Sequence, residues 1–595
     1  MRPARAADRP TVAVIGGGPG GLTAAHELAE RGFQVTVLER KALGGKARSI
    51  PVPGTATDGR RDLPGEHGFR FFPGFYRNLP DTMRRIPVAG NPNGVWDNLT
   101  DAAGVVISRA GRREDIKLEA SADMGSPERI VRNVVGALQL VVDVPAHELA
   151  WFASRLLVYL TSSEERRFAE WEYTNWWDFV RADQMSRGFQ DVLAGGLTRT
   201  LVAAKADRAS TRTIGKMAEA FVFSALGRET DGGLDRVLDA PTNEAWIDPW
   251  TTHLESLGVT FEAGLGQGFD VEGGKIAAAR FVDAGGTERR LVADWFVLAV
   301  PAERTTQFWS PELLALDPSL ARTGELVTDW MNGLQIFLRE PINLVRGHVA
   351  YLDTPWALTS INQAQFWTER DFARDYGDGS ATDCLSIDIS DWTRPGVVFG
   401  RAAQDCTPDE IVEEVWEQLK LSVGDTGEEH LKRELVTSWF LDPAISYPDA
   451  GVTRAANDEP LLINTAGSWD LRPEAWTGVP NLFLAADFVR TDIDLATMES
   501  ANEAARKAVN ALLAEAGSNE TPATVQTLVR PQELATAKEL DRTLLQAGLP
   551  NAFDLPYPDI GALDLNQVLG VDLGAVLGQL DLGTTVGRLF RGLGF

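Results

Sequence analysis

Three short segments of contrasting polarity open the chain. Residues 12–15 are an apolar run of strand type, residues 22–30 gather apolar side chains on one face of a helix, and residues 34–38 form a second apolar strand. Gly32 closes the helix between them. Residues 294–301 (DWFVLAVP) read as a further buried strand, as do 482–485, which lead through a loop to a helix from Thr497 to about residue 514. Residues 233–264 read as a helix ending at Gly258 and then a strand; 275–281 and 289–292 read as a β-meander turning at Gly285-Gly286. Helical spacing recurs at 130–144, 145–160 and 163–183, whereas strand-like pieces such as 333–338 and 385–389 alternate in the stretch 326–455. Beyond the helix at Thr497, residues 518–523 are linker-like, 532–547 read helical, and 563–595 carry Leu, Val and Phe at helical spacing broken by glycines.

Composition narrows the class. A chain of 595 residues exceeds one core and implies two or more domains. The net charge of −27 argues against nucleic acid and against strong docking on anionic lipid. Cys384 and Cys406 form no C-x-x-C pair, so neither a disulfide framework nor a zinc or iron–sulfur site is expected. The six histidines show neither H-E-x-x-H nor triad order, so no metal is expected; His67 alone lies in a stretch tied to a substrate. With no secretory signal before residue 12 and no apolar run of membrane-spanning length, a cytoplasmic location is expected, with at most peripheral membrane contact. Tryptophan clusters at Trp171, Trp176 and Trp177 and at Trp246 and Trp250 suit a long apolar ligand or a large core.

Candidate chemistry begins in the first loop. Gly16, Gly18 and Gly21 form G-x-G-x-x-G between strand and helix, with Pro19 and Gly20 inside the motif and Glu39 ending the second strand. Gly16 suits the tight turn, Gly18 the close approach of a pyrophosphate and Gly21 helix–strand packing; the helix N-terminus faces phosphate, and Glu39 accepts a ribose hydroxyl. An ADP-containing cofactor is expected. Arg40 follows the acid, and Gly44, Gly45, Lys46 and Arg48 then let backbone and cations approach a phosphate or a ring edge.

The fingerprint followed by the glycine pair, cation and Ser49 resembles the flavin domain of the FAD-dependent amine oxidase and phytoene desaturase superfamily. Residues 485–501 are similar to its second flavin motif, with Asp487 toward the ribityl–pyrophosphate region and Thr497 and Met498 opening a helix at the flavin ring; Ala486 and Ser500 replace glycines. The stretch 66–81 (EHGFRFFPGFYRNLPD) is similar to plant-type phytoene and zeta-carotene desaturases and, more loosely, to hydroxysqualene dehydroxylases, with Arg70 in place of a histidine. Its aromatic side chains suit a pocket lining or an interdomain core. Amine oxidases of the superfamily usually have a lysine near the flavin and aromatics before the last helix. Residues 330–335 hold no lysine and 491–496 no aromatic, which counts against amine oxidation.

The resemblance implies an α/β protein. A Rossmann-like FAD-binding domain (glutathione-reductase-like βαβ, mixed sheet plus β-meander) comprises 1–115, 233–325 and 456–515. It is interleaved with an α+β substrate domain, 116–232 and 326–455, and followed by an extension, 516–595. The reaction implied is dehydrogenation of a largely apolar, carotenoid- or isoprenoid-like substrate by hydride transfer to flavin N5, with oxygen or a quinone as the electron acceptor. Arg70, Asp492 and Asp494 are the candidate catalytic residues; the two aspartates serve as acid or base if burial raises them, or else merely cap the helix at Thr497. An amine oxidase acting on a non-standard amine and a non-redox isomerase or dehydratase remain open. The extension is expected to cover the substrate entrance, pair two copies into a homodimer or touch a membrane surface.

Overall fold

The computed structural model describes residues 9–111, 115–119, 144–196, 198–199, 205–225, 227–342, 344–423, 431–448 and 454–554. Strand β1 (Thr11–Ile15) lies between β2 (Gln34–Glu39) and Trp295–Leu298, parallel to both, with Val12 opposite Val35 on one side and Trp295 on the other. Paired on both edges and covered on both faces, β1 is apolar without alternation, as a central parallel strand should be. The parallel set continues through Leu482–Leu484 beyond Trp295–Leu298 and through Thr260–Glu272 beyond β2; Lys275–Asp283 and Glu288–Val292 extend it as the expected antiparallel meander. Helix α1 (Pro19–Glu30) starts on Pro19, whose missing N–H is no loss at a first helical position, and buries Leu22, Ala24, Ala25 and Leu28. It packs beside the helix Met498–Glu515, where Asn502 donates to Thr23 Oγ1 at 2.8 Å.

The second sheet has seven strands in the order Val436–Leu441, Asn332–Leu338, Asp383–Ile389, Leu358–Asn362, Gly347–Tyr351, Gly104–Ser108 and Ile116–Glu119. It is antiparallel except where Gly347–Tyr351 runs parallel to Gly104–Ser108. The stretch 1–115, expected to lie wholly in the flavin domain, therefore enters the second sheet at Gly104. The helix Pro408–Val423 covers this sheet with Ile411, Val412, Val415, Trp416 and Leu419. This helix is not among the sequence expectations, although its apolar residues recur at three- and four-residue steps.

The expected helix 145–160 forms as Ala146–Thr161. The expected continuous helix 163–183 does not form. Ser163 and Asn175 each cap a new short helix by accepting an amide N–H, and Arg181 takes a left-handed conformation, so the segment folds as successive short turns. The expected helices 130–144 and 563–595 lie outside the described residues, apart from Val144. A helix at Thr211–Ala225, bearing Ile214, Met217 and Phe221, completes the first insertion.

Residues 524–541 of the extension run as a strap across both parts. Arg506 donates to Thr524 O at 2.7 Å, Asn78 Oδ1 accepts from Gln526 N at 2.7 Å, and Asp492 Oδ2 accepts from Leu528 N at 2.7 Å. Farther on, the buried Asp541 accepts from Ser163 N and from Arg166 Nε, each at 2.8 Å.

Candidate functional site

At the C-terminal end of β1, a cavity of about 310 Å³ runs between the two domains. One end is built by the glycine loop. A Cβ on Gly21 would stand 1.8 Å from the Gly16 carbonyl oxygen, and one on Gly20 1.9 Å from that of Ala485; the turn, α1 and the Leu482–Leu484 strand can meet only with hydrogen at both positions. A Cβ on Gly18 would meet nothing closer than Gly45 Cα at 3.8 Å and would project into the open cradle. Glu39 stands at the rim, Oε2 accepting from Gly17 N at 2.7 Å and Oε1 from Lys41 N at 2.8 Å, with lone pairs left for a diol. Replacing Glu39 with Ala removes a charge-assisted acceptor worth about 1.5–3 kcal/mol. Equilibrium dialysis should then show FAD binding weakened by roughly 10- to 100-fold.

Toward the second sheet the walls become charged and then apolar. Lys46 pairs with Glu303 at 2.9 Å and donates to the Pro460 carbonyl, while Arg40 and Arg48 pair with Glu459. Half-buried Asp487 lines the cavity; desolvation raises its carboxyl, against the pull of Lys46 and Arg472. Thr497 caps Met498–Glu515, its Oγ1 accepting from Ser500 N at 3.1 Å, so the positive end of an 18-residue helix faces the cavity. Arg70 donates to Lys46 O at 2.9 Å and lies 3.7 Å from Glu66; burial pulls its guanidinium down, against Glu66 and Asp388.

Met331, Leu461, Ala496 and Thr497 also line a second cavity of about 170 Å³. Its walls are mainly apolar, with Phe71, Phe75, Tyr76, Ile214, Met217 and Phe221 among them. The aromatic stretch 66–81 and the helix Thr211–Ala225 thus form a greasy arm opening onto the end of the first cavity that lies away from Glu39. Among the described residues lining the two cavities there is one lysine, Lys46, and it is paired with Glu303.

Of the residues the sequence offers for the cofactor, Gly16, Gly18, Pro19, Gly20, Glu39, Arg40, Gly45, Lys46, Arg48, Asp487, Thr497 and Met498 all line the first cavity; Gly21 packs beneath it. The candidate catalytic set divides. Arg70 lines the cavity, whereas Asp492 and Asp494 line neither. Asp494 is clamped between Arg212, 2.7 Å away, and Arg472, 2.5 Å away, and accepts from Thr213 Oγ1 at 2.8 Å. Asp492 accepts from Lys216 at 2.9 Å and Arg530 at 2.8 Å. Burial would raise its carboxyl, but these cations and the Leu528 amide hold it below the usual range. Both carboxylates are consumed as ion-pair clamps, so the expectation that they act as acid or base is corrected. His67, which the sequence ties to a substrate, lines the cavity and pairs with Asp442 at 2.6 Å; sequence reading passes over Asp388, which lines the same cavity from a separate element. The legible signal for Asp388 is a carboxylate between two isoleucines in a buried strand.

Among the described residues, two clusters have metal-ligand composition. His67, Asp442 and Glu459 are buried together, but Lys41 at 3.0 Å and Arg48 at 3.5 Å already neutralise Glu459. At His26, Glu30 and His253, the Trp250 indole N–H donates to His26 Nδ1 at 3.2 Å. The neutral ring then carries its proton on Nε2, which faces Glu30 at 3.1 Å and offers a metal no lone pair there.

A diol acceptor, an open glycine cradle, a helix terminus at each end and a long interdomain cavity fit a flavin dinucleotide: the architecture defines a FAD-binding oxidoreductase. Residues 14–86 match the family model described as NAD(P)-binding Rossmann-like domain, and residues 354–513 that of flavin containing amine oxidoreductase. These two matches support the FAD-dependent amine oxidase/desaturase superfamily for the chain, with FAD as its cofactor. The chain is 23% identical to a carotenoid phi-ring synthase of Chlorobaculum tepidum over 283 residues, which cover 46% of this chain and 40% of that one. It is 44% identical to a carotenoid phi-ring synthase of Streptomyces griseus over 80 residues, 13% and 15% of the respective chains. The matches thus span less than half the length of these curated relatives. Among solved structures, cyclohexylamine oxidase from Brevibacterium oxydans has TM-score 0.54 at 12% identity, covering 86% of this chain and 100% of that one. Putrescine oxidase bound to putrescine has TM-score 0.53 at 14%, covering 86% and 98%. An oxidoreductase from Methanosarcina mazei has TM-score 0.51 at 16%, covering 85% and 100%. At these identities the likeness is one of fold.

Proposed function

We propose that the protein dehydrogenates a largely apolar, polyene- or isoprenoid-like substrate with bound FAD, and that oxygen or a quinone takes the electrons away. The observation carrying this reading is the apolar cavity joined to the flavin cavity through Met331, Leu461, Ala496 and Thr497. A hydrocarbon enters such an arm by leaving water, at a gain of about 25 cal/mol per Å² buried. Flavin-cavity residues hold the cofactor: the glycine loop and Glu39 at its ADP part, Lys46, Asp487 and the Thr497 helix terminus farther along. FAD when bound supplies two-electron acceptance. Phe71, Phe75, Met217 and Phe221 orient the chain and exclude water, so the hydrogens to be removed are presented in a dry site. The names of the two curated relatives agree with a carotenoid-type substrate. The paired state of Lys46 and the many apolar walls favour a hydrocarbon over an amine.

Anaerobic mixing tests the reading. Phytoene or a carotene should bleach the flavin absorbance, and putrescine or cyclohexylamine should not; bleaching by amines alone defeats the proposal, and product formed without flavin reduction would indicate the non-redox alternative. In the variant Met217→Trp an indole fills the apolar arm. Flavin content should stay unchanged while polyene bleaching slows by about 100-fold, the scale expected of a misplaced reacting carbon.

A further inference from the structure

We propose that Asp388 is the proton-exchanging carboxyl of the flavin cavity, accepting at Oδ1 the proton that leaves a substrate carbon while its neighbour gives up a hydride. The inference rests on the dehydrogenation reading above. Asp388 sits on the strand Asp383–Ile389 inside the second sheet, and its partners in register, Gly333 and Thr359, carry no charge. The loop 66–70 crosses directly over it at Gly68, where a Cβ would stand 2.8 Å from Oδ1. The side chain lines the flavin cavity, yet its buried Oδ1 has no hydrogen-bond partner. Leaving such an acceptor unsatisfied costs about 1–3 kcal/mol, so the position holds an unspent polar atom against the cavity where the structural carboxylates Asp492 and Asp494 have theirs engaged.

The charged groups facing Asp388 come from three neighbouring elements. Arg70 reaches it from the crossing loop; His348, itself 2.7 Å from Asp235, stands on Gly347–Tyr351; Asp442, 2.6 Å from His67, follows the edge strand. Burial raises the Asp388 carboxyl, Arg70, the Phe69 amide and His348 draw it down, and Asp442 pushes it up, leaving it at about 7. A group poised there is populated in both forms at neutral pH, as proton exchange requires.

The step balances without a further reagent. Two adjacent C–H bonds break: one hydrogen departs with its electron pair as hydride, for which FAD is the acceptor, and the other departs as a proton. The pair left behind becomes the new C=C bond, the Asp388 carboxylate becomes the carboxylic acid, and the acid returns its proton to water after product leaves.

Dithionite titration of the FAD-loaded protein tests this without any substrate. The midpoint potential is followed from about pH 7.5 to 9, where flavin reduction itself takes up one proton. For a two-electron couple each coupled proton contributes about 30 mV per pH unit. Wild type should slope at about 60 mV per pH unit and Asp388→Asn at about 30. A wild-type slope of about 30 mV, or an unchanged steep slope in the variant, overturns the assignment. If Asp388→Asn fails to retain flavin, Arg70→Gln replaces it: loss of the facing cation raises the carboxyl, so the steep region should begin at higher pH, and an unmoved onset overturns the proposal. A failure of polyenes to bleach the flavin would instead remove the substrate reading and leave these slopes as they are.

Discussion

Gly21→Ala should yield a colourless protein with a lowered melting temperature, and Gly18→Ala a colourless protein that melts as wild type does. The two glycines lie three residues apart in one motif, but their surroundings differ. At Gly21 the added methyl would stand 1.8 Å from the Gly16 carbonyl oxygen, backbone that cannot rotate aside, so α1 must be pushed off β1. Overpacking of this kind costs about 1–3 kcal/mol or more, enough to weaken FAD binding by roughly 100-fold while loosening the core beneath it. At Gly18 the methyl meets no atom closer than 3.8 Å and displaces only ligand. Flavin absorbance after gel filtration and a thermal melt of each apoprotein separate the outcomes. A Gly21→Ala protein that keeps its flavin would mean that α1 does not close on β1 as described.

Asp494→Asn should lower the melting temperature by about 3 °C, corresponding to the roughly 3–5 kcal/mol typical of breaking a buried ion pair in a chain of this size. The flavin spectrum should be unaltered. Asp494 is buried, adopts φ +52°, and compensates two buried arginines, Arg212 from the helix Thr211–Ala225 and Arg472 from the loop before Leu482–Leu484. Asparagine tolerates the left-handed backbone and keeps the side-chain shape, so the substitution removes charge without adding strain. The opposite result, unchanged melting with lost polyene bleaching, would return Asp494 to the catalytic role expected from its place beside the Thr497 helix.

That misassignment shows where sequence information stops. The β1–α1–β2 unit is legible because everything specifying it is local: a buried apolar strand, glycines at fixed offsets, an amphipathic helix and a terminal acid. The second flavin motif around Asp487 and Thr497 is legible for the same reason. The second sheet is not, because its parallel pair joins Val105 to His348 across more than two hundred residues, and no local pattern encodes such a pairing. Asp492 and Asp494 present two carboxylates beside a helix start in either reading; only folding brings Lys216, Arg530, Arg212 and Arg472 to consume them. Asp388 is the reverse case, an acid within a run read simply as a buried strand, whose meaning depends on the distant Gly68 crossing above it.

The strap 524–541 bears on the order of events during synthesis. It bonds to Asn78, Asp492, Arg506, Ser163 and Arg166, all of which leave the ribosome before it. The helical wall of the apolar arm is already joined to the flavin domain by Arg212 and Thr213 on Asp494 and by Lys216 on Asp492, so the strap fastens, last of all, a joint made without it.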